Sequence, residues 1–146
     1  MGRPDDAESM LRAAYEGARR VAGDWHRVTL TAMGRLGRVL ADRGRPQDAE
    51  ELIREALARA RQAQGGRAWL VGQLLADLGY VLMVMERFEE AERALLEAET
   101  TLGHAVESDR FHVESTLRLL VRLYEQWNKP DVAAAWRSKL SGSDVD

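Results

Sequence analysis

Large apolar residues return every three or four positions along most of the chain. Leu30, Met33, Leu36, Gly37 and Leu40 draw one stripe, and Ala49, Ile53, Ala56 and Leu57 draw the next. Spacing of this kind puts side chains on one face of an α-helix. The same pair of stripes follows twice more. Leu74, Leu78, Leu82 and Met85 lead to Ala91, Leu95 and Ala98; Leu117, Leu120 and Tyr124 lead to Ala133, Trp136 and Leu140. Gly44 ends the first stripe, since glycine takes the left-handed cap conformation without penalty. Pro46 opens the next helix, where a missing N–H is harmless. Asp48, Glu50 and Glu51 follow it and complement the helix dipole. Gly65-Gly66 breaks that helix, and turns fall at Glu86-Arg87 and Asn128-Lys129. No useful run alternates apolar and polar residues, so the chain is predicted to be all-α.

The stripes share one interval. Pro4, Pro46 and Pro130 are one and two steps of 42 apart, with Phe88 in the skipped slot. Ala7, Ala49, Ala91 and Ala133 keep the same step, as do Leu11, Ile53 and Leu95, then Ala14, Ala56 and Ala98. Leu36, Leu78 and Leu120 also match, with Gly37 beside Gly79. A fixed period of this size is the signature of stacked repeats. The expected organisation is one domain over 1–141, with an orphan helix at 5–23, repeats at 24–65, 66–107 and 108–141, and a disordered tail at 142–146. A glycine inside a helix costs about 1 kcal/mol against alanine. Its return at one offset implies close packing, which we assign to Gly37 against Ala49 and Ala56, and Gly79 against Ala91 and Ala98. Val121 takes the slot in the third repeat, where a wider helix pair is expected.

Composition narrows the chemistry. The 146 residues include no cysteine, which removes disulfides, thiolate metal sites and thiol nucleophiles. A net charge of −3 advertises neither nucleic acid nor an anionic membrane. No apolar run reaches the roughly 18 residues of a membrane span, and the first residues lack the apolar stretch of a signal peptide; a cytoplasmic location is expected. Arg54 to Arg67 is interleaved with acids and alanines and reads as a solvated outer face. His26, His104 and His112 do not pair at metal-binding spacing, and no His-Glu-x-x-His occurs. Ser9, Ser108, Ser115 and Ser138 lack a nucleophile-elbow context. No catalytic residue, metal or cofactor is therefore expected. Trp25, Trp69 and Phe111, near one offset ahead of the first helices, are expected to plug the joints between repeats.

Leu36-Gly37, Leu40, Ala49, Ile53 and Ala56, echoed by Leu78-Gly79, Leu82, Phe88, Ala91, Leu95 and Ala98, resemble the tetratricopeptide repeat. The period of 42 resembles the longer variety found in kinesin light chains and many bacterial proteins. The stretch from Leu123 to Leu140 is similar to the closing repeat of arrays on some large bacterial serine/threonine kinases, although no kinase motif is present. The resemblance implies a right-handed α-α superhelix of about seven antiparallel helices. It also implies a concave face, built from the first helix of each repeat, that holds a partner's peptide.

On that face the spacing places Arg35 and Arg38, then Asp77, Tyr80, Met83 and Val84, then Arg118 and Arg122. Tyr80, Met83 and Val84 would form an apolar floor, with arginines beside it to grip carboxylates. The expected partner is another protein, through an acidic-plus-apolar peptide or a C-terminus. The lysine-and-asparagine clamp of chaperone-adaptor repeats and the asparagine ladder of the light-chain type have no counterpart here, since Asn128 is the only asparagine. A second reading is a regulatory module whose superhelix changes shape on binding a signal peptide or small effector. Met10, Leu11 and Tyr15 of the orphan helix would keep an uncovered side, which implies a truncated piece, a docked neighbour or self-association.

Overall fold

The computed structural model describes residues 4–63, 67–104 and 110–142. The Gly65-Gly66 break, Ser108 and the tail beyond Gly142 lie outside them. The described residues form seven helices and no strand: α1 (Pro4–Ala22), α2 (Arg27–Asp42), α3 (Pro46–Gln62), α4 (Ala68–Val84), α5 (Phe88–His104), α6 (Arg110–Gln126) and α7 (Pro130–Gly142). Consecutive helices pack antiparallel. α4 also touches both α2 and α6, and the three form an inner layer, which α1, α3, α5 and α7 back on the outside. The chain is an all-α superhelix.

Each inner-to-outer turn is built alike. Gly44, Glu86 and Asn128 all have positive φ, at 78°, 57° and 57°. That left-handed residue lets the next N–H return to the last turn: Arg45 to the Leu40 carbonyl at 2.9 Å, Arg87 to Leu82 at 2.9 Å and Lys129 to Tyr124 at 2.8 Å. The wrap satisfies carbonyls that every helix end leaves unpaired. At the opposite end of α2, the exposed His26 accepts the Val28 N–H through Nδ1 at 3.3 Å and serves as a helix cap.

The core runs along the seam between the layers, through Leu30, Met33, Leu36, Ile53, Leu70, Leu74, Leu82, Leu95, Leu117 and Leu120. Each such side chain contributes about 1.5–3 kcal/mol by leaving water. The helical glycines mark close approaches, with a different partner from the one expected. A Cβ on Gly37 would stand 2.6 Å from Ile53 atoms, and one on Gly79 would stand 2.5 Å from Leu95 Cγ. The glycine thus makes room for the large residue between the two alanines. In the third repeat Val121 holds the glycine's place, and the slot of Ile53 and Leu95 passes to Arg137, which pairs with Glu125.

Polar clips join successive repeats at the same interval. Glu8 pairs with Arg43 and Arg45, Glu50 accepts from Arg87 at 2.6 Å, and Glu92 accepts from the Tyr124 hydroxyl at 2.6 Å. The outer-helix acids therefore bind the following turn as well as facing a helix dipole. The aromatic joints differ from expectation. Trp69 packs against the core, but Trp25 is 50% and Phe111 67% exposed. The joint between the second and third repeats is filled by Phe88, Tyr124 and Trp127, with ring centroids 5.8 and 6.3 Å apart.

Candidate peptide-binding groove

The inner layer brings the sequence-predicted residues onto one wall. Arg38, Tyr80 and Arg122 are two steps of 42 in sequence, one from each inner helix. Stacking converts that interval into adjacency. The Arg38 guanidinium lies 4.4 Å and the Arg122 guanidinium 5.9 Å from the centre of the Tyr80 ring. Cations at this distance are attracted to the ring face, by about 0.5–1 kcal/mol each when exposed. The Tyr80 hydroxyl donates a hydrogen bond to Asp42 Oδ1. Burial first, and then that bond, raise the tyrosine's pKa above its ordinary value. Tyr80 is thereby fixed in orientation, flanked by two cations.

Two hollows open on either side of this rank. One, of about 350 Å³, is lined by Tyr80, Met83, Val84, Glu86, Phe88, Arg122 and Gln126. Its lining mixes apolar and polar side chains, and Val84 is exposed there. Met83 reaches it from the core, being only 3% exposed. The other hollow, of about 210 Å³, lies toward the start of α6 and includes Arg35, Arg38, Gln73, Asp77, His112 and Thr116. Arg118 stands on the rim and pairs with Glu114 at 3.5 Å, which Arg110 also holds at 2.7 Å. Arg35 and Arg122 are exposed and pair with no acid among the described residues.

Asp77 differs most from its expected place on an open stripe. It is 6% exposed, and its pKa is raised to about 6, because burial penalises the charged form more than Arg38, Arg35 and His112 favour it. The cause is Gly34 on α2. A Cβ there would lie 2.5 Å from Asp77 Oδ2, so the missing side chain is the space the carboxyl fills. The nearest cation is Arg38, at 3.7 Å, an ion pair without hydrogen-bond contact. Gln73, one turn earlier, has a buried Oε1 with no partner.

Sequence reasoning passed over Phe88, Glu86 and His112. The signal for Phe88 was its place in the proline slot, where an aromatic ring at the start of an outer helix can turn inward. Among the described residues no group of three or more His, Asp or Glu side chains could hold a metal, and no helix is long and apolar enough to cross a membrane.

Comparison with known proteins places this geometry. Residues 1–62 match the Tetratricopeptide repeat family. No curated protein matches the chain. The crystal structure of BtubC (BKLC) from P. vanneervenii superposes with a TM-score of 0.76 at 18% identity, over 96% of this chain and 56% of that one. The chain thus spans little more than half the length of this structural relative, and the likeness is one of fold.

Proposed function

We propose that the chain, whose residues 1–62 match the Tetratricopeptide repeat family, is a non-catalytic module that holds a partner's peptide across its inner face. The observation that carries this reading is the Arg38–Tyr80–Arg122 rank beside the hollow that Met83, Val84 and Phe88 help to line. Two cations around a fixed aromatic ring suit a carboxylate laid against the ring edge. Met83, Val84 and Phe88 suit an apolar side chain a few ångströms away. Arg35 and Arg118 extend the positive edge along the wall. The ligand is an acidic-plus-apolar segment or a chain end with a free carboxylate.

Selection from a library of displayed peptides, with both internal and C-terminal presentation, tests this. Enriched sequences combine Asp, Glu or a terminal carboxylate with a large apolar residue. The selected peptides bind Arg38→Ala, Tyr80→Ala and Arg122→Ala at least tenfold more weakly, since hot-spot arginines and tyrosines contribute about 2 kcal/mol or more. Binding undiminished in all three variants would place the partner on another surface.

A further inference from the structure

The outward stripe of α1 leaves bare the positions that the repeat buries in α3 and α5. Ala49, Ile53 and Ala56 of α3, and their counterparts Ala91, Leu95 and Ala98 of α5, are all 0% exposed. The matching residues of α1 are Ala7, Leu11 and Ala14; both alanines are exposed and Leu11 is half-buried. α2 covers the face on α3, and α4 covers it on α5, whereas among the described residues α1 packs against α2 alone, through its other side. Met10 and Val21, on the same stripe, are 71% and 86% exposed. Around Gly17 there is open space, in contrast to the crowding at Gly37 and Gly79.

Ala7, Met10, Ala14, Gly17 and Val21 are spaced alternately by three and four. This is the seam along which two helices pair, and its alanines and glycine permit close approach. Met10 and Val21 stand beside the small Ala7, Ala14 and Gly17, so the large residues of one seam meet the small ones of another. The edge of the seam decides the occupant. Asp6 and Arg20 lie on that same edge, both exposed, and neither forms an ion pair with a described residue. A parallel pair of α1 helices would set like charges together. An antiparallel pair sets Asp6 of each copy toward Arg20 of the other, twice, and opposes the helix dipoles favourably.

We propose that this face binds a second copy of the chain, α1 against α1 about a two-fold axis, giving a dimer with its two grooves free. Such an interface is self-complementary by symmetry. The proposal is independent of what the groove binds.

Sedimentation equilibrium on the whole chain provides the test. The expected mass is twice the 16.4 kDa of one chain. Met10→Glu and Ala14→Glu, at exposed sites, should give monomers with an unchanged helical circular-dichroism spectrum. Asp6→Arg should weaken the dimer about tenfold, and adding Arg20→Asp should restore it, as only a face meeting its own copy allows. A wild-type chain that stays monomeric at several hundred micromolar overturns the proposal and leaves the face to a different helix. A dimer indifferent to Met10→Glu and Ala14→Glu also overturns it, by placing the contact elsewhere.

Discussion

Replacing Asp77 by asparagine should stabilise the protein at neutral pH. The carboxyl is 6% exposed and its pKa rises from 3.8 to about 6. At about 1.4 kcal/mol per pKa unit, the folded state is penalised by about 3 kcal/mol once the group is ionised. The direction follows from the proton balance. Between pH 4 and 6 the folded chain holds a proton on Asp77 that the unfolded chain has released, so this residue makes stability rise as pH falls. Above about pH 6 the penalty is complete. Asparagine keeps the shape and removes the charge. It also adds a buried amide and takes from Arg38 its partner at 3.7 Å, so about 1–3 kcal/mol of gain is expected at pH 7.5. Urea denaturation of both proteins from pH 4.5 to 7.5 measures this, with equal slopes as the control. The advantage of Asp77→Asn should shrink toward zero by pH 4.5. Glu8 and Glu90, whose pKa values are lowered by arginine partners, titrate with the opposite sign but cancel in the difference. A variant no more stable than wild type at pH 7.5, with a difference flat in pH, would show that Asp77 is ionised and well paired, and would refute this account of its burial.

Two backbone predictions test the repeat geometry. Glu86→Gly should stabilise the fold by about 0.5–1 kcal/mol, because Glu86 is exposed at φ 57° where only glycine is free of strain; Gly44→Ala at the equivalent turn should cost a similar amount, and thermal melts of both reveal the pair of opposite shifts. Gly79→Ala should destabilise by about 1–2 kcal/mol, since the overpacking against Leu95 exceeds the gain in helix propensity; Leu95→Val in the same background should recover part of it, and failure to do so in a double-mutant cycle would remove the steric reading.

The fold was legible because its determinants are local and recur. Leu36, Leu78 and Leu120 state one helix face three times, and Pro46 and Pro130 mark where outer helices begin. Gly44 announced its turn, whereas Glu86 carries no such chemistry and its left-handed backbone follows from its place in the period alone. The inner-face rank was legible as a register: Arg38, Tyr80 and Arg122 are neighbours because the period is regular. Depth was not. Helical spacing puts Asp77 on the same stripe as Tyr80, and only the absence of a side chain on Gly34, in another helix, decides that the carboxyl sinks while the ring stays partly open. The exposure of Phe111 was hidden for the same reason. An aromatic residue at a repeat boundary is buried only if a neighbouring helix reaches it; Phe111 opens α6, at the end opposite the Phe88, Tyr124 and Trp127 cluster, and is 67% exposed.

Differences among the repeats carry a separate message. Positions that hold the same residue type in each repeat, such as Ala49, Ala91 and Ala133, are 0% exposed and build the solenoid. Positions that change fall on both surfaces, but with unlike consequences. On the outer face the changing residues are solvent-exposed, as with Glu51, Arg93 and Ala135. On the inner face they bind one another: Arg38 and Arg122 flank Tyr80, Tyr80 donates to Asp42, and Asp77 lies beside Arg38. The inner set is distinguished by drawing on all three inner helices around one ring. A stabilising Asp77→Asn that also weakens peptide binding would identify that carboxyl as a site where stability has been given up for recognition. A stabilising variant with unchanged binding would confine the recognition to the Tyr80 rank one turn away.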